Sequence, residues 1–226
     1  MNKTQNKDAP TLLVVISGPS GVGKDAVVER MKRLPRPWRF IVTATTRLKR
    51  PMERDGVDYL FMTPPQFAAL LAQDGFLEHA TVYGHSYGVP RVQVEQALAS
   101  GKDAIVKTDV QGAATIRKQA PGALLIFLVP PHMAELERRL RERKSETAEE
   151  VERRIRTAAE EMARQPEFDY VVVNHTGRLE QTVEEIEGII AKEKERQRVP
   201  SPLMGEGEDR GEAHSKRSSS PSDLAR

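Results

Sequence analysis

Cysteine is absent from this chain of 226 residues. Its absence excludes disulfide bonds, thiolate zinc sites and a cysteine nucleophile, and it fits a reducing cytosol. Long apolar runs are absent too, since the longest, residues 12–16 and 123–129, are far shorter than a membrane span. The polar start, residues 1–8, precedes an apolar stretch that is too short for a signal peptide. We therefore predict a cytoplasmic protein without a membrane partner.

A strong excess of charge of either sign is also absent. The 35 basic and 33 acidic side chains leave a formal net charge of +2. The chain thus lacks the overall field that is typical of proteins that bind nucleic acid. We expect no nucleic-acid partner, and any phosphate chemistry must be local. The length allows one large core with smaller inserted parts.

Five short aliphatic runs predict buried strands. Most are followed by a stretch with helical spacing, which is the pattern of a parallel sheet covered by helices. The predicted fold class is therefore α/β. The five runs are residues 12–16, 40–42, 104–106, 124–129 and 170–173.

The pattern changes between Thr45 and Arg91, where short extended segments are broken by glycines. One helix is expected after Thr63, because two prolines behind a threonine cap suit a helix start. We predict a small, mostly β insertion over about residues 45–91. Its extended segments are 59–62, 76–79 and 81–83, and the core that carries it is 11–44 with 92–197.

Two charged helices joined by a polar elbow are predicted to form a lid over about residues 139–157. The helical spacing of Arg and Glu is interrupted near 144–146 and restarts at Thr147, which has a capping-box partner in Glu150. Solvated helix faces would show a similar composition.

Both ends of the chain are predicted to lack a fixed fold: residues 1–10 as a flexible start and 198–226 as a disordered tail. Large apolar residues are almost absent from the tail. Its few basic residues, such as Lys216 and Arg217, leave open an arm that binds nucleic acid or a partner. Because acidic residues are mixed among them, a dispensable extension is favoured.

A phosphate-binding motif follows the first predicted strand. Residues 18–24, Gly18-Pro19-Ser20-Gly21-Val22-Gly23-Lys24, fit the pattern G-x-x-x-x-G-K and precede an amphipathic stretch, 25–33. Glycines let the backbone turn its N–H groups around an anion, and the lysine can reach the β and γ phosphates. We predict a triphosphate site here, called the phosphate cradle below, although a plain glycine-rich turn is the alternative. The next residue, normally a Ser or Thr that helps to hold Mg²⁺, is Asp25.

Further motifs follow the cradle at intervals that resemble those of the guanylate kinase family. They are Thr43-Ala44-Thr45-Thr46-Arg47, Arg50, Asp58-Tyr59, Phe76-Leu77-Glu78, Tyr87-Gly88 and Asp109-Val110-Gln111-Gly112. The resemblance implies a P-loop NTPase-type domain over residues 11–197, with a GMP-binding insertion and a helical lid. It also implies transfer of the γ-phosphoryl group of ATP to GMP or dGMP with Mg²⁺ as cofactor, in a monomer or homodimer.

The resemblance implies that Arg47 and Arg50 grip the acceptor phosphate together with Tyr59 and Tyr87. Two guanidiniums offer forked donors to a dianionic phosphate, and tyrosine hydroxyls add donors without further full charges. A solvated basic turn is the alternative for the two arginines.

Glu78 matches a carboxylate that accepts from the N1–H and 2-amino group of guanine, a donor edge that adenine lacks. An ordinary exposed glutamate is the alternative. Thr43 matches a hydroxyl that contacts the base, and Asp109 is assigned to the same GMP site. Val89 stands where the family commonly has a Ser or Thr against the guanine carbonyl. Since valine cannot donate this hydrogen bond, we expect weaker base binding.

On the ATP side, the resemblance adds Arg139, Arg143, Arg154 and Asn174 to the cradle residues and Asp25. The three arginines match positions that bring positive charge to the phosphates, and Asn174 matches a position near the adenine. The predicted catalytic residues are Lys24, Arg47, Arg143 and Arg154.

The predicted metal site departs from the family pattern. Asp25 and Asp109 are the candidate ligands of Mg²⁺, Asp109 directly or through water. Lys107 stands where the family usually has an acidic residue. We hypothesise that Asp25 either binds Mg²⁺ or pairs with Lys107, which would keep the local charge near that of the usual site.

Two other functions compete with GMP phosphorylation. A kinase of the same architecture could act on another monophosphate or a phosphorylated sugar. A guanylate-kinase-like interaction module could bind protein ligands without catalysis, but such modules tend to lose the cradle, and this chain keeps Gly18, Gly23 and Lys24.

Overall fold

The computed structural model describes residues 10–82, 84–142 and 147–198. Its central feature is a five-stranded parallel sheet. Its order is β2-β7-β1-β8-β9. The predicted α/β class is confirmed. The strands are β1 (Leu13–Ser17), β2 (Trp38–Phe40), β7 (Asp103–Lys107), β8 (Leu124–Val129) and β9 (Tyr170–Val173).

One strand lies earlier than predicted: β2 ends at Phe40 instead of including residues 40–42. The backbone N–H and carbonyl of Val42 bond to the side-chain amide of Gln93 at 3.0 and 2.9 Å. This side chain takes the place of a neighbouring strand just where the chain leaves the central sheet.

A smaller, four-stranded sheet has the order β4-β3-β6-β5. Its strands are β3 (Ala44–Thr45), β4 (Leu60–Phe61), β5 (Phe76–Val82) and β6 (His85–Pro90). The prediction of two segments at 76–79 and 81–83 was wrong, because β5 is continuous and pairs with β6 along its length. Helix α2 (Pro64–Ala72) starts after Thr63 as predicted, with a capping box completed by Gln66.

Helices cover both faces of the central sheet. One apolar cluster joins it to α1 (Lys24–Met31) and α7 (Leu179–Arg198), and a second joins it to α3 (Arg91–Ala99) and α4 (Val110–Gln119). Helices α5 (Met133–Arg141) and α6 (Ala148–Ala163) contact the cradle through Arg139 and Arg154. The predicted Thr147–Glu150 capping box is present.

The parallel pairing decides where functional side chains meet. Ile16 of β1 pairs with Lys107 of β7, so both strands end at the same edge of the sheet. The cradle that follows β1 and Asp109, which caps α4, therefore lie side by side, in the usual ligand position of open α/β sheets.

Some predictions lie outside the described residues: the flexible start over 1–9, the tail over 199–226, and the elbow at 144–146. Among the helices that the structure describes, none is both long and apolar enough to cross a membrane.

Candidate active site

The glycines of the cradle are required by close backbone approaches. Gly18 and Gly23 have φ values of 142° and 102°, which residues other than glycine rarely adopt. A Cβ atom on Gly18 would lie 2.4 Å from the carbonyl oxygen of Leu128, and one on Gly23 would lie 2.5 Å from Nδ2 of Asn174. The turn therefore excludes larger residues at both positions.

Lys24 lies inside this turn. Its Nζ donates to the carbonyl oxygens of Gly18 at 2.5 Å and Pro19 at 3.1 Å. Burial lowers the pKa of Lys24, while the nearby carboxylates of Glu161 and Asp109 oppose this shift. An anion in the cradle would favour the charged ammonium in the same way.

Asp25 and Lys107 form an ion pair across the mouth of the cradle. Their side chains are 77% and 39% exposed, so the pair is largely solvated. Two alternatives were predicted for Asp25, and the ion pair with Lys107 is present. Binding of Mg²⁺ by Asp25 stays a prediction. The positive charge of Lys107 balances the extra carboxylate beside the phosphate site.

The back of the cradle is tied to two residues that were assigned to ATP. Asn174 donates to the carbonyl of Val22 at 2.8 Å, and Arg139 donates to the same oxygen at 3.1 Å. Arg139 also donates to the backbone carbonyl of Asn174 at 3.0 Å and to Thr176 Oγ1 at 2.8 Å. These residues hold the loop from behind.

The helix α6 contacts the cradle from above through two side chains. Arg154 donates to Ser20 Oγ at 2.7 Å, which brings this predicted residue to the phosphate site. Glu161 accepts from the backbone N–H of Ser20 at 2.9 Å, and burial raises the pKa of Glu161. Arg143, the other predicted lid arginine, lies outside the described residues.

Arg47 is held by a carboxylate that sequence reasoning missed. Its guanidinium donates to both oxygens of Glu53, at 3.1 and 2.6 Å, and lies 5.3 Å from the ring centre of Tyr59. The hydrogen bonds that Arg47 donates to Glu53 raise the pKa of Arg47, and a hydrogen bond with Tyr87 makes a smaller contribution in the same direction. Arg50 is exposed nearby, and its backbone N–H also donates to Glu53.

A cleft of about 350 Å³, hereafter the cleft, lies between the cradle and the smaller sheet. A larger groove of about 710 Å³ adjoins it, and Glu78 lines the smaller one. The cleft is lined by Lys24, Asp25, Thr43, Tyr59, Glu78, Ala80, Val82, Tyr87, Val89, Lys107, Thr108 and Asp109.

Glu78 is buried in the wall of the cleft, at 7% exposure. Burial raises its pKa to about 7, and the negative charge of Asp109 contributes further. The carboxyl group packs against Gly112 in the first turn of α4, where a Cβ atom would lie 3.0 Å from its carbon. Asp109 is itself oriented by a 2.7 Å hydrogen bond from the N–H of Gly112.

Glu53, Glu161 and Gly112 are the positions whose contacts sequence reasoning did not anticipate. Gly112 stood in a quoted motif, and a glycine in the first turn of a helix could have signalled a close neighbour. Neither glutamate carried a signal, since Glu161 meets Ser20 across 141 positions of the chain.

The residues present fit a magnesium ion that is held mainly by phosphates and water. Asp25 and Asp109 both line the cleft beside Lys24 and offer the hard oxygen ligands that Mg²⁺ prefers. In the described part of the chain, no group of three or more His, Asp or Glu could hold a metal ion by itself.

Comparisons with known proteins point to one family. A family model described as guanylate kinase matches residues 11–193. A guanylate kinase of Thermus thermophilus is 45% identical over 195 residues, which cover 86% of this chain and 85% of that protein. Guanylate kinase 2, chloroplastic/mitochondrial, of Oryza sativa subsp. japonica is 46% identical over 184 residues, or 81% of this chain and 65% of that protein. A crystal structure of guanylate kinase from Anaplasma phagocytophilum matches with a TM-score of 0.64 and 30% identity, covering 82% of this chain and 87% of that one.

Proposed function

Because the chain belongs to the guanylate kinase family, we propose that it transfers the γ-phosphoryl group of ATP to GMP in the cleft. The reaction gives ADP and GDP. The observation that supports the cleft as its place is that Lys24 and the buried carboxyl of Glu78 line the same cavity. Lys24 suits the phosphates of the donor, and the ionised Glu78 suits the donor edge of guanine.

The acceptor phosphate would lie at the Arg47 end of the cleft. Both terminal nitrogens of Arg47 donate to Glu53, and one of them also donates to the backbone carbonyl of Leu48. A dianionic phosphate offers stronger acceptors, so Arg47 would share its donors between Glu53 and GMP. Tyr59 and Tyr87, whose ring centres lie 6.1 Å apart, would add neutral donors, and Arg50 would close over the phosphate from solvent.

The donor phosphates would lie in the cradle. Its backbone N–H groups and Lys24 would bind the β and γ phosphates, with Arg154 above them. Arg139 and Asn174 would fix the loop and border the adenine, while Thr43 and Asp109 would complete the base site for GMP. Arg143 remains a predicted lid residue.

The chemistry needs positioning more than a covalent nucleophile. Two polyanions must be brought in line, and the charge that moves between them must be neutralised. The positive charges of Lys24, Arg47 and Arg154 would neutralise it. We propose that the smaller sheet and helices α5 and α6 close over the substrates and exclude water, which would otherwise accept the phosphoryl group.

Magnesium would neutralise the transferring phosphates when it is bound. Because Asp25 pairs with Lys107, we propose that this pair stands in for the neutral-plus-acidic pair of the family. Asp25 would then hold the metal through water, or directly after separating from Lys107, and Asp109 would be a second ligand, directly or through water. A role for dGMP as acceptor, a cytoplasmic location and a monomeric or homodimeric state stay predictions.

The test is ADP release from ATP and Mg²⁺ with GMP, dGMP, AMP and UMP offered in turn, and with Lys24→Ala as the blank. We expect turnover with GMP that falls by at least about 100-fold in the blank, as for loss of one charge-stabilising donor. Turnover with AMP or UMP but not with GMP would show that the site takes another acceptor. If no ADP is released with any of the four acceptors, an interaction module that binds protein ligands without catalysis would be favoured.

A further inference from the structure

Guanine presents an acceptor, its 6-carbonyl oxygen, directly beside the N1–H and 2-amino donors. The ionised carboxylate of Glu78 can only accept hydrogen bonds, so it reads the donors and leaves the carbonyl without a partner. A complete guanine site therefore needs a donor close to Glu78.

The neighbouring wall offers little for this task. Val89, the strand partner of Glu78 in the β5–β6 ladder, is apolar. Ala80 and Val82 are apolar as well, and Asp109 is a second carboxylate.

The two lysines of the cleft are engaged elsewhere, and the tyrosines and Thr43 border other parts of the site. Lys24 donates to cradle carbonyls, and Lys107 pairs with Asp25. Tyr59 and Tyr87 stand around Arg47 at the phosphate end. Thr43 lies where the cleft meets the larger groove.

Thr108 remains, between the end of β7 and the start of α4. A Cβ atom on Gly112 would lie 2.1 Å from Thr108 Oγ1 and 3.0 Å from Glu78 Cδ. The hydroxyl is thus within about 5 Å of the carboxyl carbon, a spacing that suits donors and acceptors on adjacent positions of one base edge. Thr108 lines the cleft, and no hydrogen bond to its hydroxyl is present within the described residues.

We propose that the Thr108 hydroxyl donates to the 6-carbonyl of guanine and so determines base specificity together with Glu78. The proposal rests on GMP as the acceptor. It replaces the expectation of weaker base binding at Val89, because Thr108 would supply the missing donor from the loop between β7 and α4. The absence of a side chain at Gly112 leaves the room in which both groups reach the base.

The test compares Thr108→Val, which keeps the shape and removes the hydroxyl, with the wild-type chain in steady-state assays on three acceptors. GMP and IMP carry the 6-carbonyl, whereas 6-thio-GMP carries sulfur, a weak acceptor. With GMP and IMP we expect KM to rise about 3- to 10-fold, the range for loss of one neutral hydrogen bond. With 6-thio-GMP the rise should stay below about twofold, and Thr108→Ser should restore wild-type behaviour with GMP.

Thr115→Val is the matched control, because Thr115 lies on α4, outside the cleft, and its hydroxyl donates to a backbone carbonyl of the same helix. Its KM for GMP should be unchanged. An unchanged KM in Thr108→Val, or an equal rise with GMP and 6-thio-GMP, would overturn the inference and leave Thr108 a packing residue. A wild-type chain without GMP turnover would instead overturn the proposed function itself.

Discussion

GMP binding should strengthen as the pH rises through 7, because the pKa of Glu78 lies at about 7. Burial disfavours the charged carboxylate, whereas the two donors of guanine favour it. Binding GMP therefore lowers the pKa of Glu78 and releases a proton. Without GMP the sign is opposite: because the pKa of Glu78 is raised from 4.5 to about 7, folding stability falls as the pH rises between these two values and levels off above 7.

The magnitude follows from the ionised fraction. With a pKa of about 7 the carboxyl is about one-tenth ionised at pH 6 and nine-tenths at pH 8, so the Kd for GMP should fall about tenfold. At pH 7 about half a proton should be released per GMP bound. The second ionisation of the GMP phosphate, with a pKa of about 6, adds a smaller change.

The assay is isothermal titration calorimetry with GMP at several pH values, repeated in buffers of different ionisation enthalpy to count protons. Glu78→Gln is the control, since it keeps the side-chain shape and cannot titrate, while the phosphate of GMP titrates as before. The difference between the two proteins isolates Glu78. An equal pH dependence in both, or no proton release at pH 7 beyond that of the control, would refute the reasoning.

Three further changes test the cradle. Lys107→Glu should lower kcat/KM about tenfold, because two carboxylates then face the triphosphate. Adding Asp25→Ser should restore kcat/KM. If Lys107→Glu alone has no effect, Lys107 does not compensate for the charge of Asp25. Glu161→Ala should lower kcat/KM for ATP about 10- to 100-fold and leave KM for GMP unchanged, because the backbone N–H of Ser20 loses a charged acceptor. Equal effects on both substrates would indicate that the variant damages the fold and not the cradle alone. Gly23→Ala should destabilise the fold by about 1–3 kcal/mol in thermal unfolding, given its φ of 102°. Gly122→Ala, where a Cβ atom meets nothing within 4 Å, should not, and similar losses in both would contradict the steric account.

Much of the fold could be predicted because its signals are local. Four of the five central strands, β1, β7, β8 and β9, contain continuous apolar runs, and the caps at Thr63 and Thr147 are built from residues three positions apart. The end of β2 could not be predicted, since it depends on Gln93, 51 positions away from Val42. The predicted break between residues 79 and 81 is absent, because β5 pairs with β6 through Ala80.

The candidate site shows the same division. The cradle and the ion pair of Asp25 with Lys107 could be anticipated from motif positions and charge balance. The partners Glu53 and Glu161 could not, because a glutamate in a charged segment looks the same whether it is solvated or bound to an arginine or a loop N–H. The hydroxyl of Thr108 became a candidate only when the fold placed it beside Glu78.

The most direct test of the central claim is an acceptor competition. Equimolar GMP and AMP are mixed with ATP labelled on its γ-phosphate, and the label in GDP and ADP is separated and counted for the wild-type chain and Glu78→Gln. The account predicts label almost entirely in GDP for the wild type, and a GDP-to-ADP ratio that falls at least about 10-fold in the variant, since a hydrogen bond to a charged group is worth about 1.5–3 kcal/mol. Label in ADP with the wild-type chain, or a ratio that Glu78→Gln leaves unchanged, would contradict it.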